Sequence, residues 1–209
     1  MQKADVWDVI HSERKALTDD LARLSAAQWA TPSLCGDWTV RDVLAHMTAT
    51  ARMTPPQFLG KMVMSGFSFG KMQSADIAAQ KGASPAETLA RFAAEVNSSK
   101  HPPGPNDTWL GETLVHSEDI RRPLGIAHTY PTEAAVQVAN FYQGSNLLIG
   151  SKARIAGLSL RATDTDWRHG EGPEVAGPMM SLVMAMTGRR AALDDLSGSG
   201  LSTLRERCR

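Results

Sequence analysis

The chain has few cysteines, no charge of one dominant sign and no long apolar run. Its two cysteines, Cys35 and Cys208, form no Cys-x-x-Cys pair and are too few for a disulfide framework or a thiolate zinc finger. Lysine plus arginine and aspartate plus glutamate balance at 22 each, so bulk charge supports neither a nucleic-acid partner nor a membrane-surface role. The balance specifies no oligomeric state. No apolar segment is long enough to span a bilayer, and the polar stretch from Gln2 onward has no signal-peptide core, so the expected location is cytoplasmic. Nucleophile-elbow and phosphate-binding glycine patterns are also missing, which removes the usual signatures of Ser-His-Asp catalysis and of nucleotide binding.

What is present reads mainly as helix. At 209 residues and 42% hydrophobic content the chain can bury a large core, as one large domain or a main domain with a small appendage. Val6, Ile10, Leu17, Leu21 and Leu24 recur at near-helical spacing over about 4–24, and residues 25–38 read as a turn region containing Pro32, Gly36 and Asp37. Thr39 is a good N-cap for a helix bearing Val40, Val43, Leu44 and Met47, which Pro55-Pro56 is expected to close. Residues 57–82, rich in Met and Gly, read as irregular packing filled by pliable Met side chains, with a mobile segment over a site as the alternative. Ser84-Pro85-Ala86-Glu87 combines a capping box with proline at the first helical position. Further helices are expected over about 108–122, stopped by Pro123 and Gly125, and over about 131–148. The last third alternates as strands at 157–163, 167–170 and 174–176 before a Met/Leu-rich helix and, after the Ser197–Gly200 turn, a short terminal helix. The expected architecture is a helical bundle over 1–149 and a small α/β domain over 150–209.

The chemistry gathers on Glu112 and His116. Four residues apart on a helix, their side chains leave the same face about 40° apart around the axis, so one divalent metal can be held by both. His46 offers a third ligand, at the border of the apolar stripe of its own helix. Such an i,i+4 pair also serves as a plain surface hydrogen-bond pair, and a lone histidine beside apolar neighbours as a satisfied core residue; spacing alone leaves these readings open.

Three stretches carry a resemblance: Pro32-Ser33-Leu34-Cys35-Gly36-Asp37-Trp38-Thr39-Val40-Arg41-Asp42-Val43-Leu44-Ala45-His46; Gly111-Glu112 through His116 with Asp119 and Pro123-Leu124-Gly125; and Ala162-Thr163-Asp164-Thr165-Asp166-Trp167 onward through Gly177-Pro178 to Thr187-Gly188-Arg189. Together they resemble the mycothiol-dependent maleylpyruvate isomerase family, within the DinB-like superfamily of metal-binding four-helix bundles. The resemblance implies a DinB-like bundle with a small C-terminal α/β domain, and His46, Glu112 and His116 as ligands of a divalent metal, zinc above all. Two imidazoles and one carboxylate with an open position is a catalytic rather than a closed zinc pattern, although other divalent metals suit the same set. Mycothiol or a related low-molecular-weight thiol is the implied cofactor: coordination deprotonates a thiol whose free pKa is about 8.5. The thiolate then adds to an activated double bond, and rotation and elimination give the trans isomer; a retained adduct would make the enzyme an S-transferase. Arg189 is the implied anchor for a substrate carboxylate, with Arg190 beside it as a competing choice.

Around this set, Asp119 either orients a ligand imidazole or is a solvated partner of Arg122. Cys35 reads as a packing residue, since nothing near it in sequence suggests a lowered pKa, and Trp38 and Trp109 read as core. Metal-assisted hydrolysis and a non-catalytic metal- or small-molecule-binding module are the competing functions. Hydrolysis needs a general base, for which Glu118 faces away from Glu112.

Overall fold

A computed structural model describes residues 5–146 and 149–208. The chain divides into two compact units, Met1–His128 and Thr129–Arg209.

In the first unit, α1 (Val6–Leu21) starts at Asp5, whose carboxylate accepts the Trp7 N–H at 2.9 Å, so the expected start at Ala4 lies outside the described residues. A single turn, α2 (Ala26–Trp29), interrupts the region expected to be all turn. Thr39 caps α3 (Val40–Arg52) through a reciprocal capping box with Asp42, and Val40, Val43, Leu44 and Met47 are fully buried. They meet Leu17 and Leu21 of α1, Phe92 of α6 (Pro85–Ala93) and Ile120 of α7 (Asn106–Leu124), which makes α1, α3, α6 and α7 the bundle.

Between α3 and α6 the structure departs from the sequence reading. Residues 57–82 are not irregular: they form most of α4 (Pro55–Met64) and all of α5 (Phe69–Lys81). Pro55-Pro56 opens α4, because the first helical positions need no N–H and the fixed φ of proline suits them. No residue of α4 is buried, and Leu59, Val63 and Met64 are exposed, so no core-facing stripe existed to be read. At the far end, Arg41 of α3 donates to the Lys81 and Gly82 carbonyls and to Thr88 Oγ1, each at 2.9 Å, tying the α5–α6 connection to α3. The Ser84 cap forms, but Glu87 returns to the Ala83 N–H at 2.7 Å instead of closing the box on Ser84.

Helix α7 runs through Pro123, whose lost N–H costs one bond in the last turn, and ends at Gly125, which takes the left-handed conformation at φ 67°. The Gly125 and Ile126 N–H groups return to the Arg122 and Arg121 carbonyls.

The second unit starts earlier than the expected boundary at 150. Helix α8 (Thr132–Tyr142) packs on α10 (Met179–Met186), and its Asn140 accepts the Trp167 indole N–H at 2.9 Å, which places α8 with the sheet. It ends at Tyr142, short of 148; residues 147 and 148 lie outside the described residues. After α9 (Ser151–Ile155), a three-stranded sheet has the order β2-β1-β3, with β1 (Ser159–Ala162) antiparallel to β2 (Arg168–His169) and parallel to β3 (Glu174–Gly177). Arg161 spans the parallel pair to both Glu174 oxygens at 2.9 and 3.1 Å. A 3-10 turn (Arg190–Asp195) and α11 (Leu201–Arg207) complete the unit. No helix among the described residues is long and apolar enough to cross a membrane.

Candidate metal site

The first unit brings His46, Glu112 and His116 together. The Thr39 cap sets the rotation of α3, so that while Val43 and Met47 enter the core His46 points to its edge, beside Trp38 at a ring separation of 5.1 Å. Across from it, α7 presents Glu112 and His116 one turn apart. His46 Nε2 stands 3.9 Å from Glu112 Oε1, the two imidazoles lie edge to face at 5.0 Å, and one ligand atom from each residue falls within 4.8 Å of the other two. The three side chains are 16%, 10% and 13% exposed in the order His46, Glu112, His116.

Both Glu112 oxygens are buried without a hydrogen-bond partner among the described residues. Burial pushes this carboxyl above its ordinary pKa, with the charges of His116 and Arg14 and the hydroxyls of Thr50 and Thr113, which approach it without good hydrogen-bond geometry, opposing. A carboxylate left unpaired in the interior is costly unless a cation meets it. The donor set therefore fits a divalent metal, and its two nitrogens and one oxygen leave a tetrahedral ion an open position.

Asp119 is wholly enclosed, with Oδ2 2.8 Å from His116 Nδ1. That contact places Asp119 where it orients the imidazole through Nδ1, while Arg122 bonds Glu118 at 2.6 Å. The two histidines are driven apart electrostatically. Burial, reinforced by the charge of His116, lowers the His46 pKa to about 3. Burial would lower His116 too, but the bond to Asp119 and the nearby Cys35 sulfur raise it to about 10. Without metal the pair is one neutral ring and one imidazolium held on a carboxylate.

Cys35 lies closer to this chemistry than its sequence neighbours implied. Its sulfur, a His116 nitrogen and an Asp119 oxygen all fall within 4.8 Å of one another, because the 25–38 turn folds back on α7, where the Leu34 N–H bonds the Asp119 carbonyl at 3.2 Å. It groups with Asp119, not with His46 and Glu112. Trp38 packs on the core as expected but also flanks His46; Trp109 is buried and stacks on His101 at 5.5 Å.

Arg14 was missed by the sequence reading. It is 1% exposed, and its charge interacts with those of Glu112 and Glu95. The available signal was its position: with Ile10, Leu17 and Leu21 it falls on the buried stripe of α1, where an arginine is out of place. A cavity of about 430 Å³ opens alongside α3, α4 and α5, lined by Arg52, Met53, Gln57, Lys61 and Glu95 among others. Arg189 belongs to the second unit. It is half-buried after α10, with Nη1 3.3 Å from the Thr187 carbonyl, and the neighbouring Arg190 is exposed and donates to the Cys208 carbonyl.

Residues 10–101 match the family model of the mycothiol maleylpyruvate isomerase N-terminal domain. Crystal structures of the mycothiol-dependent maleylpyruvate isomerase and of a histidine-to-alanine mutant of it share the fold, each at a TM-score of 0.62 and 16% identity over 93% of this chain and 91% of the other. No curated protein matches the chain.

Proposed function

We propose that this protein is a cytoplasmic, metal-dependent enzyme using mycothiol or a related low-molecular-weight thiol against a small electrophile, a reading supported by the match of residues 10–101 to the mycothiol maleylpyruvate isomerase N-terminal domain family. The reaction is an isomerisation of the maleylpyruvate type or an S-transfer. The observation that carries the reading is the buried Glu112 carboxylate, without a hydrogen-bond partner among the described residues and grouped with two imidazoles, a donor set suited to one divalent cation.

His46, Glu112 and His116 would hold the metal, which we assign as zinc. When bound, it would supply Lewis acidity that turns a thiol into a thiolate at neutral pH. The chain's own residues prepare that site. Burial keeps His46 neutral and ready to donate its lone pair, Asp119 fixes the ring of His116, and the low exposure of all three strengthens every charge interaction there. The nucleophile is assigned to the exogenous thiol, and Cys35, grouped with His116 and Asp119 but not with His46 and Glu112, to a supporting place beside the ligands. Arg189 is assigned as a carboxylate anchor on the second unit. A hydrolytic reading lacks its base: Glu118 is held by Arg122.

The test joins metal analysis to thiol dependence. The wild-type protein is expected to carry about one divalent ion per chain and to consume α,β-unsaturated acids or other soft electrophiles only with added thiol. Full metal content in both His46→Ala and His116→Ala would reject the ligand set. Turnover without thiol would reject the reaction class, and absence of turnover with any thiol would favour a binding module.

A further inference from the structure

Arg189 leaves the chain where α10 ends, and the closure of that end fixes its backbone. Gly188 takes φ 92°, a conformation that suits glycine, and turns the chain back on the helix. Its N–H reaches the Ala185 carbonyl at 2.9 Å and the Arg189 N–H reaches the Met184 carbonyl at 3.0 Å. Thr187 Oγ1 adds a bond to Met184 at 2.7 Å. The Met186 carbonyl finds its partner outside the helix: Arg154 of α9 donates to it through Nη1 at 2.6 Å, and through the same nitrogen to the Ile149 carbonyl at 2.9 Å.

Arg154 also packs against the turn itself. A β-carbon on Gly188 would come within 3.2 Å of Arg154 Cζ and Nη2, so the guanidinium occupies the space beside the residue that precedes Arg189. The last turn of α11 holds Arg154 in its place. Its Nε lies 3.4 Å from the Arg207 carbonyl, and Arg207 Nη1 returns to the carbonyls of Arg154 and Ala156 at 2.9 and 2.7 Å. Among the described residues, the guanidinium's hydrogen-bond partners are main-chain carbonyls and no carboxylate. An arginine so placed fixes backbone geometry: it ties the chain before α9 and the ends of α10 and α11 to one planar group.

We propose that Arg154 is the positioning residue for Arg189: by bracing the Gly188 turn it presets the backbone from which Arg189 reaches a carboxylate. The inference rests on the assignment of Arg189 as the carboxylate anchor. Arg154 touches no substrate. It spares the anchor the ordering that binding would otherwise have to supply.

The experiment titrates the full chain with succinate, a non-reactive dicarboxylate, and follows the Arg189 side-chain Nε–H signal by NMR, identified by its absence from Arg189→Ala. In wild type the signal shifts with succinate and not with succinamide, the uncharged analogue. Arg154→Met keeps the apolar stem and loses the carbonyl bonds; it is expected to weaken succinate about three- to tenfold, the size of ordering one long side chain on binding. Arg154→Lys, with the charge but not the planar fork, recovers part of the loss. In turnover with added thiol, KM for an α,β-unsaturated acid rises by the same factor in Arg154→Met, while kcat and the KM for its methyl ester stay unchanged, a split that general loosening of the fold would not give. Equal succinate affinity in wild type and Arg154→Met, at equal helicity, overturns the proposal. Should Arg154→Met fail to fold, Arg154→Lys decides in its place, and full wild-type affinity there overturns it. A wild-type Arg189 signal that ignores succinate rejects the carboxylate anchor and this inference with it, and leaves the metal ligands untouched.

Discussion

His116 Nδ1 and Asp119 Oδ2 lie 2.8 Å apart, one turn along the same helix, with the carboxylate closed off from solvent. The contact fixes both the tautomer and the orientation of the imidazole, so its effect is felt in metal affinity. Asp119→Asn is expected to weaken metal binding by about 10- to 100-fold, read by competition with a chromophoric chelator. An unchanged affinity would mean that the ring is held by other means.

The same pair makes the metal-free protein sensitive to alkali. Burial alone would lower the His116 pKa, but Asp119, with Cys35 nearby, raises it from 6.5 to about 10. A group that holds its proton more tightly when folded stabilises the fold fully below its unfolded pKa and loses that contribution as pH rises through the folded one. Stability from this pair is therefore complete below pH 6.5 and gone above about 10. His46, lowered to about 3, changes nothing in that window, because it is neutral above 6.5 in both states. Urea unfolding of chelator-treated protein should show a decline across the window in wild type that Asp119→Asn lacks. Metal must displace the same proton, so its affinity should climb with pH there, by up to about tenfold per unit.

Cys35→Ser should keep its thiol-dependent turnover, since the nucleophile is supplied by the added thiol. Loss of turnover at full metal content and intact helicity would assign the nucleophile to the chain itself.

Arg189→Ala should cost about 1.5–3 kcal/mol in kcat/KM toward a carboxylate-bearing substrate or thiol, the worth of a charge-assisted contact. Arg189→Lys should recover only part, because an ammonium lacks the planar fork. Kinetics unchanged at equal metal occupancy would make Arg189 a structural residue.

What the sequence disclosed was local. The Thr39 and Ser84 caps, the Gly125 stop and the i,i+4 spacing of Glu112 and His116 each depend on residues within a turn of one another, and each appears where the pattern put it. What it hid was settled over longer distances. Helix α4 buries nothing and so shows no apolar stripe, and the proline pair before it signals an end as readily as a beginning. Cys35 meets His116 only because a turn folds back on α7, and α8 joins the second unit through Asn140 and its packing on α10. Arg14 was visible as an arginine on an apolar stripe, but its neighbour Glu112 is contributed by another helix.

Two of the three proposed ligands stand one turn apart on α7, while the third arrives on α3 from a distant part of the chain. An isolated α7 can offer only the Glu112 and His116 half of the set, so tight metal uptake reports the docking of two helices and not the formation of one. An ion held there would act as a removable cross-link, closing the chain from α3 to α7 into a loop and lowering the entropy gained on unfolding. Loading and unfolding then become one equilibrium: thermal midpoints rise with free metal concentration, and withdrawing the ion loosens first the seam between α3 and α7.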